Sequence, residues 1–206
     1  MDKYHETFQT WNNVAKQYEE QYMHLDLYNE SYAFFCDSIP AKNAKILDLG
    51  CGPGNIIKYL TSQRSDFKIC GIDIAPNMVS LARFNNPKAK FQVMDVRAID
   101  DLESTYDGII SGFCIPYLSE ADVEKLFFDC YNLLKTGGIL YISFVQGDES
   151  QSGYIIGSAG DRTYFYYHSL KYLISKAHEN GMKEIKSFKV SFKKKDIHKI
   201  LMIQKQ

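Results

Sequence analysis

Lys45-Ile46-Leu47-Asp48-Leu49-Gly50-Cys51-Gly52-Pro53-Gly54-Asn55 is the stretch that decides the fold of this 206-residue chain. It passes from an apolar start into glycines at alternate positions and then into a helical pattern, which predicts a buried strand, a tight turn and a helix. Glycines there let the backbone turn sharply and let a ligand lie directly on the main chain, where the first turn of the helix offers N–H donors without intrahelical partners. A nucleotide-like ligand is the expected occupant. The spacing departs from the Gly-x-Gly-x-x-Gly of a dinucleotide fold: counted from Gly50, position 55 is Asn, and counted from Gly52, position 57 is Ile.

Two carboxylates follow at corresponding places. Asp73, in Gly71-Ile72-Asp73-Ile74, lies nineteen residues beyond Gly54 at the end of the second expected strand. An ionised acceptor there takes hydrogen bonds from both hydroxyls of a ribose and repels a 2′-phosphate. Asp95, in Val93-Met94-Asp95-Val96, ends the third expected strand and suits an adenine amino group, with the Val96 N–H placed for a ring nitrogen. Either aspartate alone reads equally well as a turn or N-cap residue. Their joint placement after successive strands points to a ligand site instead.

Working outward, strand-like runs at 45–49, 67–72, 90–94, 108–111 and 138–144 alternate with helical patterns at 55–65, 76–84, 120–134 and 169–180. Strand, helix, strand, helix implies a parallel sheet with crossovers and helices on both faces, a doubly wound α/β fold. Pro76 fits a first helical position, Ser119 and Ser169 fit N-caps, and Gly137 and Gly181 follow their helices. Ile99-Asp100-Asp101-Leu102 is a short helix or a turn. Residues 1–40 form a helical cap segment, with Trp11, Ala15, Tyr18 and Tyr22 spaced by three and four and Pro40 closing it; residues 41–206 form the main domain. At the other end, 183–192 and 196–204 are separated only by Lys193, Lys194 and Lys195, too short a gap for a crossover, so they pair as an antiparallel hairpin at or near a sheet edge. The lysines of this hairpin read as a solvated edge guard ahead of an RNA-contacting patch. The segment from Val145 to Thr163 holds four glycines and suits a lid or substrate loop.

Composition bounds the function. Apolar residues make up 45% and charged residues 24%, as in soluble globular proteins, and the net charge of −1 provides no chain-wide basic field for a nucleic-acid backbone. There is no apolar leader and no run long enough to span a membrane, so a cytoplasmic protein is expected. The five widely spaced cysteines contain no C-x-x-C pair and read as buried free thiols, with no metal site. Aromatic residues reach 14%, and 15 of the 29 lie in residues 1–40 and 145–175, the parts expected to cover the ligand rim.

From Ile46 onward the sequence resembles the class I S-adenosylmethionine-dependent methyltransferases. Ile46-Leu47-Asp48-Leu49-Gly50-Cys51-Gly52-Pro53-Gly54 is similar to the family's first motif, Gly71-Ile72-Asp73-Ile74-Ala75-Pro76-Asn77-Met78 to its second-strand motif and Met94-Asp95-Val96 to its third; Leu133-Leu134-Lys135-Thr136-Gly137-Gly138 resembles the approach to its fifth strand. The resemblance implies a Rossmann-like, seven-stranded, mainly parallel sheet ending in an antiparallel hairpin, with S-adenosylmethionine as cofactor and S-adenosylhomocysteine as product. Gly50, Cys51 and Gly52 would line the methionine part, Asp48 would orient that loop, and Asp73 with Ile74 would hold the ribose. Asp95 and Val96 would take the adenine and Met78 its face, and Ser111, Gly112 and Phe113 would border the amino group and sulfonium. Val14-Ala15-Lys16-Gln17-Tyr18 is similar to a stretch whose tyrosine closes over the cofactor.

Methyl transfer from a sulfonium needs alignment and water exclusion, and a base only when the acceptor must lose a proton. Tyr18, Tyr117 and His168 are the candidates to touch substrate. Pro116-Tyr117 is similar to half of the Asn/Asp-Pro-Pro-Tyr motif of amino-nucleobase methylation, but Cys114 and Ile115 replace its first two residues, which disfavours that chemistry. The expected partner is a small aromatic or hydrophobic methyl acceptor, with the chain acting as monomer or homodimer. The alternatives are an RNA or protein methyltransferase using the lysine-rich hairpin, and a non-catalytic cofactor-binding module.

Overall fold

Three helices precede the glycine stretch in the computed structural model, which describes residues 2–157, 160–192 and 196–206. They are α1 (Lys3–Asn13), α2 (Ala15–Tyr22) and α3 (Asn29–Asp37), and Asp2 caps α1 by accepting from the Tyr4 N–H. Then β1 (Lys45–Leu49), α4 (Asn55–Gln63), β2 (Lys68–Asp73), α5 (Pro76–Asn85) and β3 (Lys90–Val93) alternate as the sequence pattern predicts. Ile99, Asp100 and Asp101 belong to a short 3₁₀ turn, Val96–Asp101, capped by Asp95 and ended by the extended Leu102. Next come β4 (Tyr106–Gly112), α6 (Glu120–Leu133) and β5 (Leu134–Val145). Ser119 caps α6, accepting from the Asp122 N–H. Gly137, at φ +77°, falls inside β5, so the strand starts earlier than the expected residue 138.

The last elements are β6 (Gly153–Ile156), β7 (Arg162–Phe165), α7 (Leu170–Glu179), β8 (Met182–Phe192) and β9 (Asp196–Lys205). Seven strands form one sheet in the order β3-β2-β1-β4-β5-β9-β8. Pairs up to β5 are parallel; β9 runs antiparallel to both β5 and β8, so the reversed strand sits one in from the edge. The turn residues Lys193, Lys194 and Lys195 of this hairpin lie outside the described residues.

Period-two alternation splits the core into two layers. Leu47, Ile109, Leu140 and Leu201 face one side, where Val123, Phe127 and Leu173 of α6 and α7 cover them. Ile46, Ile110, Tyr141 and Met202 face the other, under Phe35 of α3 and Ile57 and Leu60 of α4. The 145–163 segment is built differently from the expected open loop. β6 and β7 pair as a separate two-stranded hairpin that lies on α1: Thr10 Oγ1 donates to the Arg162 carbonyl at 2.8 Å, and the Tyr164 N–H donates to Thr7 Oγ1 at 3.0 Å. An ion pair between Arg162 and Glu6 fastens the outer end. Each strand is only four residues long and Ile156 is 71% exposed, so neither leaves a clear apolar alternation in the sequence.

Candidate functional site

The sheet order reverses between β1 and β4, and the loops that follow these strands diverge there to open a crevice. The first is the glycine loop. Gly50 has φ +68°, and a Cβ on it would stand 3.1 Å from Cys114 in the loop after β4, so both the turn and the close approach require glycine. The Cys51 N–H donates to the Ile72 carbonyl at 2.9 Å and the Gly52 N–H to Asp73 Oδ2 at 2.9 Å, which ties the loop to the end of β2. Asp73 Oδ1 accepts from the Ala75 N–H at 2.8 Å and so also fixes the start of α5. Burial raises the Asp73 carboxyl above its ordinary value, and these two backbone N–H groups act in the opposite sense.

At the next strand end Asp95 accepts from the Arg97 backbone N–H at 2.9 Å and from its guanidinium at 2.6 to 3.1 Å. Burial alone would raise Asp95; the Arg97 bonds outweigh it and hold the carboxyl below its ordinary value. Arg97 in turn lies 4.0 Å from the centre of the Tyr4 ring, a cation–π contact that joins this strand end to α1.

A cleft of about 150 Å³ follows these strand ends, walled by Gly50, Gly52, Asp73, Ile74, Met78, Asp95, Val96, Gly112 and Phe113. Its outer wall is α1, through Tyr4, Thr7, Phe8 and Trp11, together with Tyr18 of α2. The roof is held at several points: the Tyr4 hydroxyl bonds Asp122 and accepts from the Ser119 N–H, and Asn12 accepts two hydrogen bonds from Asn77 at the start of α5, one on Oδ1 from its N–H and one on its carbonyl from Nδ2. Tyr18 and Trp11 meet edge to face at 5.6 Å, and Trp11 meets Tyr117 likewise at 5.3 Å.

A second space, about 490 Å³, opens on the far side of the glycine loop. It lies between α1, α2, the residues leading into α3, the β6–β7 hairpin and the ends of β8 and β9. Tyr22, Tyr28, Tyr32 and Phe165 give it an aromatic lining, and Gln17, Gln21 and Asn55 add amide groups. Trp11, Tyr18, Gly50, Gly52, Gly112, Phe113 and Tyr117 border both spaces. The cleft and the chamber therefore adjoin through one shared wall.

Most of the predicted site residues meet at these two spaces. Cys51 borders the chamber and not the cleft. Asp48 and Ser111 border neither: both are fully buried, Asp48 on the Ile46 side of β1 and Ser111 on the Ile109 side of β4. Both Asp48 carboxyl oxygens lack a hydrogen-bond partner among the described residues, and burial, followed by the Asp73 charge, pushes this group up to about 8. His168 is also away from both spaces. It is 1% exposed, with Nε2 at 3.1 Å from the carbonyls of both Ile115 and Leu118. Two carbonyl partners require Nε2 to carry the proton, and burial lowers the tendency of the ring to take a second one. His168 thus clamps the 3₁₀ turn that bears Tyr117, a structural task, and does not reach the chamber.

Sequence reading missed Tyr4, Phe8, Arg97 and Tyr28, and gave His198 a weaker claim than His168. The first two continue the three-and-four spacing toward Trp11 and were legible in principle; Arg97 sits two residues beyond Asp95. His198 is brought in by strand pairing from the far end of the chain and leaves no local signal.

A family model described as a methyltransferase domain matches residues 46–138. Protein 235L of Invertebrate iridescent virus 6, which carries a provisional methyltransferase name, is 30% identical over 137 residues, covering 66% of this chain and 49% of that protein. The chain spans between 34% and 55% of the length of the curated relatives it matches. Among solved structures, the 1,6-didemethyltoxoflavin-N1-methyltransferase of Burkholderia thailandensis, with 1,6-didemethyltoxoflavin and S-adenosylhomocysteine bound, superposes with a TM-score of 0.75 at 16% identity, covering 100% of this chain and 92% of that one. The magnesium protoporphyrin IX methyltransferase of Synechocystis, with S-adenosylmethionine bound, gives 0.70 at 16% identity, covering 92% and 83%. At such identities the structures establish the fold, and the family match establishes what the glycine loop belongs to. This chain carries a class I S-adenosylmethionine-dependent methyltransferase domain.

Proposed function

We propose that the protein transfers a methyl group from S-adenosylmethionine to a small, flat, aromatic or hydrophobic acceptor. The observation that carries this reading is the shared wall: a cleft lined by backbone and carboxylates adjoins a larger aromatic chamber through Gly50, Gly52, Gly112 and Phe113. The donor set of the cleft fits the cofactor. Asp73 suits hydroxyl donors and opposes a phosphate, Asp95 paired with Arg97 suits an amino donor, the glycine loop presents main chain where side chains would obstruct, and Met78 offers an apolar face. When bound, S-adenosylmethionine supplies a methyl group already activated by the sulfonium charge.

What remains for the chain is alignment and exclusion of water. Tyr18 and Trp11 close the outer side of the junction, and Tyr117, held between Trp11 and Phe165, closes the chamber side. Burial raises the Tyr18 and Tyr117 phenols well above their ordinary value, so both serve as neutral walls and hydrogen-bond donors, not as bases. The tyrosine-rich lining supports a flat acceptor through ring stacking. Calorimetric titration with S-adenosylhomocysteine, followed by a screen of aromatic acceptors read by S-adenosylhomocysteine release, tests the proposal. Binding with turnover on a flat acceptor is the expected result, and failure to bind S-adenosylhomocysteine overturns it.

A further inference from the structure

Asp73 and Asp95 border the same cleft, yet they are held by different means. Asp73 is fixed by two backbone N–H groups, those of Gly52 and Ala75. Asp95 is fixed by a single residue, Arg97. Oδ1 accepts from the Arg97 backbone N–H at 2.9 Å, the guanidinium Nε bridges Oδ1 and Oδ2 at 3.1 and 3.0 Å, and Nη2 donates to Oδ2 at 2.6 Å. Three N–H groups thus share a carboxylate that offers about four acceptor positions, which leaves one for a further donor. The Asp95 and Arg97 side chains are 27% and 32% exposed, and both border the cleft.

An arginine two residues from an aspartate can pair with it at any surface turn, and such a pair contributes little. This guanidinium is held a second time, from the roof. It lies 4.0 Å from the centre of the Tyr4 ring of α1. Tyr4 is itself locked: its hydroxyl bonds Asp122 of α6 and accepts from the Ser119 N–H at 3.0 Å, and its ring stacks on Tyr166 at 6.4 Å. A planar fork of donors fixes the rotation of a carboxylate, which a lysine ammonium does not. The orientation of Asp95 is therefore set, through Arg97, by residues of α1, α6 and the stretch before α7.

We propose that Arg97 is the positioning residue of the base end of the cofactor site: it holds the Asp95 carboxylate where it accepts an exocyclic amino group, and so makes the cleft select a 6-aminopurine over a 6-oxopurine. This rests on the methyltransferase reading given above. An ionised carboxylate only accepts hydrogen bonds, so it attracts the amino group of adenine and repels the carbonyl oxygen of hypoxanthine. The adjacent Val96 N–H applies the same test at the ring, where adenine has a bare nitrogen and hypoxanthine an N–H. Discrimination of this kind depends on a fixed acceptor. A carboxylate freed from the guanidinium can rotate out of register with the amino group and away from a carbonyl, which weakens the attraction and relieves the repulsion together. Because the same guanidinium lies against Tyr4, base recognition and the seating of α1 draw on one side chain.

The probes are S-adenosylhomocysteine and its 6-oxo counterpart, S-inosylhomocysteine, each titrated calorimetrically into the full chain. The wild-type protein is expected to prefer S-adenosylhomocysteine by about 10- to 100-fold, the range set by one hydrogen bond to a charged group. Arg97→Met keeps an unbranched chain beside Tyr4 but no donors, and is expected to reduce that preference to about threefold or less, chiefly by weakening S-adenosylhomocysteine. Arg97→Lys keeps the charge over the Tyr4 ring without the fork, and is expected to fall between the two. It decides the matter if Arg97→Met fails to fold. A side chain that only packs the roof would weaken both ligands alike and leave the wild-type ratio intact; that result overturns the proposal, as does a wild type that binds both ligands equally. A wild type that binds neither removes the methyltransferase reading itself, whereas equal binding of both removes only this inference.

Discussion

The cleft and the chamber share a wall but are assembled in opposite ways. The inner surface of the cleft comes from the ends of β1, β2, β3 and β4, and each strand delivers its residue within a few positions of its last sheet hydrogen bond. The chamber takes its lining from both ends of the chain: Tyr22 and Tyr28 near the start, Phe165 in the middle of the last third, and Phe192 and His198 close to the end. Parts supplied by consecutive strand ends are positioned by the sheet itself and tolerate little change. Parts gathered from distant segments are positioned by packing and can vary without touching the sheet.

The sharpest way to break this contrast is at Asp48, beneath the cleft. The unfolded chain releases this proton near pH 4, whereas burial holds it in the folded state to about 8. Between those values the folded state binds more protons, so the contribution to stability is full below about pH 4 and is lost as pH rises through about 8. Urea unfolding between pH 5 and 7 is expected to show a decline of up to about 1.4 kcal/mol per pH unit that Asp48→Asn removes. An identical slope in both proteins would mean that the buried carboxyl acquires a partner in solution.

Next in size, Asp73→Ala is expected to weaken S-adenosylhomocysteine binding by about 1–3 kcal/mol through loss of charge-assisted hydrogen bonds, read by calorimetry. Unchanged affinity would remove Asp73 from the site and reduce it to the anchor of Gly52 and Ala75. On the shared wall, Tyr18→Ala is expected to lower turnover by about tenfold, because small displacements of the reacting groups are costly, while the thermal midpoint falls by only a few degrees. Normal turnover in a folded variant would leave Tyr18 as packing only. The smallest effect belongs to Arg162→Ala. It removes an exposed ion pair with Glu6, so the thermal midpoint should be unchanged within error. A drop of several degrees would show that the hairpin is fastened mainly by that pair and not by the Thr7 and Thr10 bonds.

How far the sequence carries can be judged from particular residues. The glycine loop was legible because only glycine takes φ +68° at position 50 without strain, and because Asp73 and Asp95 recur at strand ends that alternation already locates. Ser111 was assigned to the wall and is instead turned to the α6 side, since one position along a strand exchanges faces. His168 was a plausible candidate from its place before α7. Its two carbonyl partners lie 50 and 53 residues earlier in the chain, and no local pattern reports them. The β6–β7 hairpin escaped notice because its strands are short and partly exposed, and its register is set by contact with α1.

By itself the sequence determined the alternation of strands and helices, the glycine turn after β1 and the reversed C-terminal hairpin, because each of these is written in periodicity and in residues whose backbone has few alternatives. Only the tertiary structure decided which rings line the chamber, that α1 roofs the cleft, and that His198 meets Tyr28 across 170 residues of sequence. Those are contacts between segments that carry no local record of one another. Burial and sheet register bring them together after the local elements have formed.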